Sequence, residues 1–93
     1  MEYVVSLADT STREDLHKAI SSAIPLPEYY GGNLDALHDV LTDISEPTRI
    51  IFTDYKAAKK SLGNYFYSFR EAAEDSEKEN PNLTVDWRRK YKA

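Results

Sequence analysis

Two aspartates four residues apart, Asp35 and Asp39, close the run Leu26-Pro27-Glu28-Tyr29-Tyr30-Gly31-Gly32-Asn33-Leu34-Asp35-Ala36-Leu37-His38-Asp39, and no lysine or arginine falls between Leu26 and Glu46. On a helix of about 3.6 residues per turn, carboxylates at that spacing share one face. Such a pair can hold a cationic group through charge-assisted hydrogen bonds or, with His38 beside it, contribute to a metal site. A helical carboxylate–histidine site needs ligands from further helices. The only other histidine, His17, stands beside Lys18 in a separate segment and reads as a surface residue, so no metal is expected. Gly31-Gly32 ahead of a helix resembles an anion cradle, but Asp35 would repel a phosphate and no lysine follows. There is no serine or cysteine nucleophile arrangement, no histidine with an orienting acid and no cofactor loop, so the chain is not expected to be an enzyme or to carry a cofactor. What remains is recognition of a basic partner.

The spacing predicts a helix over 33–46. Leu34, Leu37, Val40, Leu41 and Ile44 form a core-facing stripe, and Asp35, His38, Asp39, Thr42 and Glu46 share the other side. Asn33 is a good N-cap, and the glycine pair before it supplies a loop with free backbone dihedrals. Asp35 suits the positive end of the helix dipole, whereas Asp39 is a like charge one turn on, costing about 0.2–0.5 kcal/mol. A lysine at 39 would gain a similar amount. Most charged helix faces are simply solvated, but the tyrosines and glycines beside this one suggest a surface kept acidic for a partner.

The rest of the chain must position that face. Residues 3–7 read as a strand, and Ser11 with Glu14 as a capping box opening a helix with the apolar stripe Leu16, Ala19, Ile20, Ala23 and Ile24, which Pro25 and Pro27 stop. Residues 49–53 are the most continuous apolar run, as expected of a central strand covered on both faces. A short helical turn over 55–60 precedes a longer helix marked by Leu62, Tyr65, Phe66, Phe69, Ala72 and Ala73. Leu83, Val85 and Trp87 alternate as a one-sided edge strand. Tyr65, Phe66, Phe69 and Trp87 read as core. Strands separated by helices imply parallel pairing through right-handed crossovers, an α/β fold.

At 93 residues the chain is expected to form a single domain, 1–93, too small for a large buried catalytic cleft. Without cysteine, disulfides and thiolate metal sites are excluded. The first residues lack a basic, apolar export signal and no segment could span a bilayer, so a cytoplasmic protein is expected, away from membranes. Net charge is −4 but unevenly spread, acidic over 28–46 and 71–79, with Arg88, Arg89, Lys90 and Lys92 near the last residue. The acidic patches argue against direct nucleic-acid binding and for a basic protein partner.

The run over 26–41 resembles the signature of the barstar family, small ribonuclease inhibitors that place an acidic helix in the enzyme's active site. Phe69-Arg70-Glu71-Ala72 is a weaker second match. The resemblance implies a barstar-like three-stranded parallel sheet, order 1-2-3, packed with three to four helices, in a monomer. It implies a partner that is an extracellular-type microbial ribonuclease, barnase-like, or a related nuclease toxin. By resemblance Asp39 mimics substrate phosphate and Asp35 makes a second acidic contact. Gly31, Asn33 and Leu34 approach the enzyme closely, and Tyr29 and Tyr30 supply aromatic area. His38 and Thr42 complete the footprint, with Glu71 at its rim. The family's type member has tryptophan at the place of His38 and glutamate at that of Gly32, so an apolar contact and a rim charge are missing here. The alternative is an adaptor or immunity protein that keeps this scaffold for a different basic partner.

Overall fold

In the computed structural model, which describes residues 1–28 and 30–90, the elements follow the order β1 (Glu2–Ser6), α1 (Arg13–Ala23), α2 (Leu34–Thr42), β2 (Thr48–Thr53), α3 (Tyr55–Leu62), α4 (Asn64–Glu79) and β3 (Leu83–Arg88). The sheet has the order β1-β2-β3 and is parallel throughout, pairing Val5 with Phe52 and Phe52 with Trp87. This is the expected strand number, direction and order. No helix among the described residues is long and apolar enough to cross a membrane.

One apolar cluster takes residues from all four helices, among them Leu16, Leu37, Ala58 and Phe69, but only alternate strand positions: Val5, Leu7, Ile50, Phe52, Leu83 and Val85. Side chains alternate across a strand, so the helices are gathered on one face of the sheet. The central strand is nonetheless buried on both faces, as expected, with Ile51 at 2 % and Thr53 at 1 % exposure on the face away from the helices. Ile51, on the reverse face, is buried but has Val4 and Asp86 as register partners, and Asp86 pairs there with Arg49 and Arg88, both at 3.6 Å. The continuous apolar run reflects a strand flanked on both edges.

Helix boundaries follow from who satisfies the end groups. At α1 the Thr12 hydroxyl accepts from the Asp15 amide, and the Asp15 carboxylate accepts from the Ser11 and Thr12 amides, each bond 3.1 Å long. Those amides hold the Asp15 carboxyl below its ordinary pKa. The capping box thus sits one residue later than Ser11 and Glu14, because the shorter Asp15 side chain reaches back to both donors while Glu14 stays exposed. Between α3 and α4, Gly63 takes φ +57°, a left-handed value that glycine adopts without strain, and there the two helices part.

α2 stops at Thr42, not at Glu46, and Asn80 shows why. This residue, the C-cap of α4, is buried and donates through Nδ2 to the carbonyls of Leu41 at 2.9 Å and Ile44 at 3.0 Å, while its Oδ1 accepts from the Asn82 amide at 3.0 Å. One side chain closes α2, turns the chain toward β2 and joins the end of α4 to the start of β3. Glu46 consequently lies outside the helix and off its acidic face.

Candidate functional site

The segment from Leu26 to Thr42 is built on two local devices. Gly32 has φ +66°, which turns the chain, and a Cβ on Gly31 would meet Asn33 Nδ2 at 3.2 Å, so both glycines allow the loop to close tightly onto the helix start. Asn33 then caps α2, its Oδ1 accepting from the Ala36 amide at 2.8 Å. The cap and the glycine turn read from sequence are both present. Tyr29 lies outside the described residues.

α2 buries Leu37 and Leu41, with Leu34, Val40 and Ile44 packed partly against the same cluster, so the predicted stripe faces inward. Asp35 and Asp39 are exposed one turn apart on the same helix, and among the described residues neither takes part in an ion pair. His38 and Thr42 are half-buried. The Thr42 hydroxyl donates back to the His38 carbonyl at 2.8 Å, and His38 Nε2 meets the Glu79 carboxylate at the end of α4. Glu79, which the sequence did not mark, thus stands beside the acidic face. Glu71 is exposed on α4 next to Arg70, which pairs with Glu74 at 3.2 Å.

The largest departure from the sequence reading is His17. It is 5 % exposed, not a surface residue. Its Nδ1 lies 2.5 Å from the Tyr30 hydroxyl and its Nε2 lies 2.7 Å from the Tyr65 hydroxyl. A neutral imidazole has one N–H and one bare nitrogen, so it donates to one phenol and accepts from the other. Burial pushes the His17 pKa down and lifts the Tyr30 phenol to about 12, with Tyr65 adding to that rise. Burial also raises Tyr65, opposed by the Arg13 guanidinium stacked 4.3 Å over its ring. The signal for a buried His17 was present: it precedes Ile20 by three residues and Ile24 by seven, squarely in the apolar stripe. Lys18, the neighbour that suggested a surface place, points to another side of the helix. Tyr30 is accordingly half-buried with its hydroxyl turned inward, and Tyr65 is a hydrogen-bond partner as well as a packing residue.

Of the aromatic residues expected in the core, Phe66 and Phe69 are fully buried and Tyr65 and Trp87 pack half-buried against the same cluster, while Tyr67 on α4 is exposed. Phe52 stacks on Trp87 with ring centroids 4.8 Å apart and meets Phe69 edge-on at 5.1 Å.

A family model described as Barstar (barnase inhibitor) matches residues 1–90. The chain is also similar to a protein of Bacillus subtilis (strain 168) named "Putative ribonuclease inhibitor YrdF", 29% identical over 77 residues that make up 82% of this chain and 85% of that protein.

Proposed function

Because the chain belongs to the barstar family, we propose that it inhibits a small microbial ribonuclease by placing α2 in the enzyme's active site, with the Asp39 carboxylate in the position of a substrate phosphate. The family and the relative's name point to an inhibitor and not to an enzyme. The observation that carries the mechanism is the pair Asp35 and Asp39, exposed together on a helix whose start is fixed by a glycine turn and an Asn33 cap. A ribonuclease working by acid–base chemistry must hold a phosphate, so its cleft is rich in arginine, lysine and histidine. Carboxylates without cationic partners among the described residues, on a rigid support, are free to accept charge-assisted hydrogen bonds from those groups.

The remaining contacts are those the family resemblance implies. Gly31, Asn33 and Leu34 bring backbone close to the enzyme at the helix start, and Tyr29 with the outward edge of Tyr30 supplies aromatic area. His38 and Thr42 flank Asp39 on α2, and Glu71 supplies a rim charge from α4. The protein performs no chemistry itself: inhibition is occlusion of a charged cleft.

The test is stoichiometric inhibition of a panel of small secreted microbial ribonucleases, with Asp39→Ala and Asp75→Ala as a pair. Truncating one member of a buried, hydrogen-bonded charge pair costs about 2–5 kcal/mol, roughly 30-fold to several thousand-fold in affinity. The barnase–barstar complex itself contributed to that range, so it is not independent of the family. Asp75, exposed on α4, should matter within about threefold, as expected of a peripheral charge. Equal losses from both changes would mean diffuse charge attraction and favour an adaptor or immunity protein for another basic partner.

A further inference from the structure

We propose that His17 and Tyr65 are positioning residues for the partner-binding loop, acting through Tyr30 from outside the contact surface. The inference rests on the inhibitor reading above for its effect on affinity, and on the structure alone for its effect on the loop.

Among the described residues, the Tyr30 hydroxyl on His17 is the only hydrogen bond that joins residues 25–32 to another element; the other bond there, from the Tyr30 amide to the Pro27 carbonyl at 3.0 Å, is local. Tyr30 directly precedes Gly31 and Gly32. Two consecutive glycines have more backbone freedom to lose than any other pair, so a loop built on them is costly to order at the moment of binding. A tether at its base removes part of that cost beforehand. His17 can serve as the tether only if its ring is held, and Tyr65 holds the second nitrogen from the start of α4 while the ring is buried on the core side of α1. α1 lies beside the glycine turn, a Cβ at Gly32 coming into ordinary van der Waals range of the His17 Cβ at 4.0 Å. With 5 % exposure, His17 cannot itself contribute appreciable contact to an enzyme. Its influence on binding must pass through Tyr30 and the loop it anchors.

Tyr65→Phe removes one oxygen and keeps the ring, leaving a buried imidazole nitrogen without its partner. Two measurements on the intact protein follow. The backbone amide order parameters of Gly31 and Gly32, read by nuclear spin relaxation without any partner, should fall in Tyr65→Phe and stay unchanged in Val85→Ala, a core truncation in β3 chosen to destabilise the fold elsewhere. Affinity for a ribonuclease that the wild type inhibits should fall about 5- to 10-fold in Tyr65→Phe, the effect of one hydrogen bond. In a Tyr30→Phe background the same change should add less than a twofold loss, because the route is already cut. Unchanged glycine order, wild-type affinity in Tyr65→Phe, or a full additive loss in the double variant would each overturn the positioning role. Asp39→Ala measured alongside separates the two proposals: if it is without effect while the glycine order falls, the phosphate-mimic role of Asp39 fails and the loop tether stands; if it weakens binding while Tyr65→Phe does not, the tether's role in binding fails.

Discussion

A histidine held between two phenols cannot take a second proton without rearranging its bonds. In the charged imidazole both nitrogens donate, so the phenol that had donated to the bare nitrogen must turn and lose its acceptor. Burial disfavours the charge as well, and the groups facing His17 offer no compensation: the Tyr30 and Tyr65 hydroxyls are neutral, and Arg13 over the Tyr65 ring is a cation. The folded pKa is lowered from 6.5, whereas the unfolded chain protonates at its ordinary value. As pH falls below 6.5 the unfolded state binds a proton that the folded state refuses, so stability is full above that value and declines toward and through the lowered folded pKa. Urea unfolding followed by circular dichroism should show a midpoint that drops on acidification from pH 6.5. His17→Gln should start from a lower midpoint but show a flatter acid dependence over the same interval. An equal slope in both proteins would assign the dependence to carboxylates instead. Asp15, held below its ordinary pKa by the Ser11 and Thr12 amides, loses its contribution only at more acid pH, below 3.8, and does not confuse the two.

α2 is a short helix, and tertiary contacts secure both what it presents and where it stops. Nine residues give too few internal hydrogen bonds for independent stability in water. Its start is local, the Asn33 cap; its end is not, since the carbonyls of Leu41 and Ile44 are satisfied by Asn80, 39 and 36 residues away. Asn80→Ala should therefore leave two acceptors without their donor and release the Asn82 amide, costing about 2–3 kcal/mol in urea unfolding. Asn80→Asp, which keeps the volume and Oδ1 but loses the Nδ2 donors, should recover less than half of that loss. If Asn80→Asp is as stable as the wild type, the carbonyls are served by water and the clamp contributes nothing. His38 adds a second link between α2 and α4 through Glu79, at a sequence separation of 41. The acidic helix is thus set against α4 at two points beyond its apolar stripe, consistent with a surface whose geometry, and not only its charge, serves recognition.

At the scale of the whole molecule, a single apolar cluster joins the four helices to one face of the sheet, and Phe52 lies at its centre between Phe69 and Trp87. Phe52→Ala should cost about 3–5 kcal/mol, a large part of the roughly 5–15 kcal/mol that holds a small protein folded. Thermal unfolding should begin many degrees lower in this variant, while Asp39→Ala, on the exposed face, should unfold near the wild-type midpoint; a Phe52→Ala midpoint within a few degrees of wild type would mean the core had repacked around the gap. Much of this architecture was legible in the residues alone: the alternation of strands and helices from their apolar periods, the α2 stripe from its 3.6-residue period, its start from Asn33, and the exposure of Asp35 and Asp39 from their place opposite that stripe. Each of these rests on residues within a turn or two of one another, where backbone geometry fixes who shares a face. The strand order came only from the family resemblance. Tertiary structure alone decided that His17 joins Tyr30 to Tyr65, that Asn80 ends α2 and that His38 meets Glu79. Those partners stand 13 to 48 residues apart, and a polar side chain carries no local mark of which distant group will satisfy it once both are withdrawn from water.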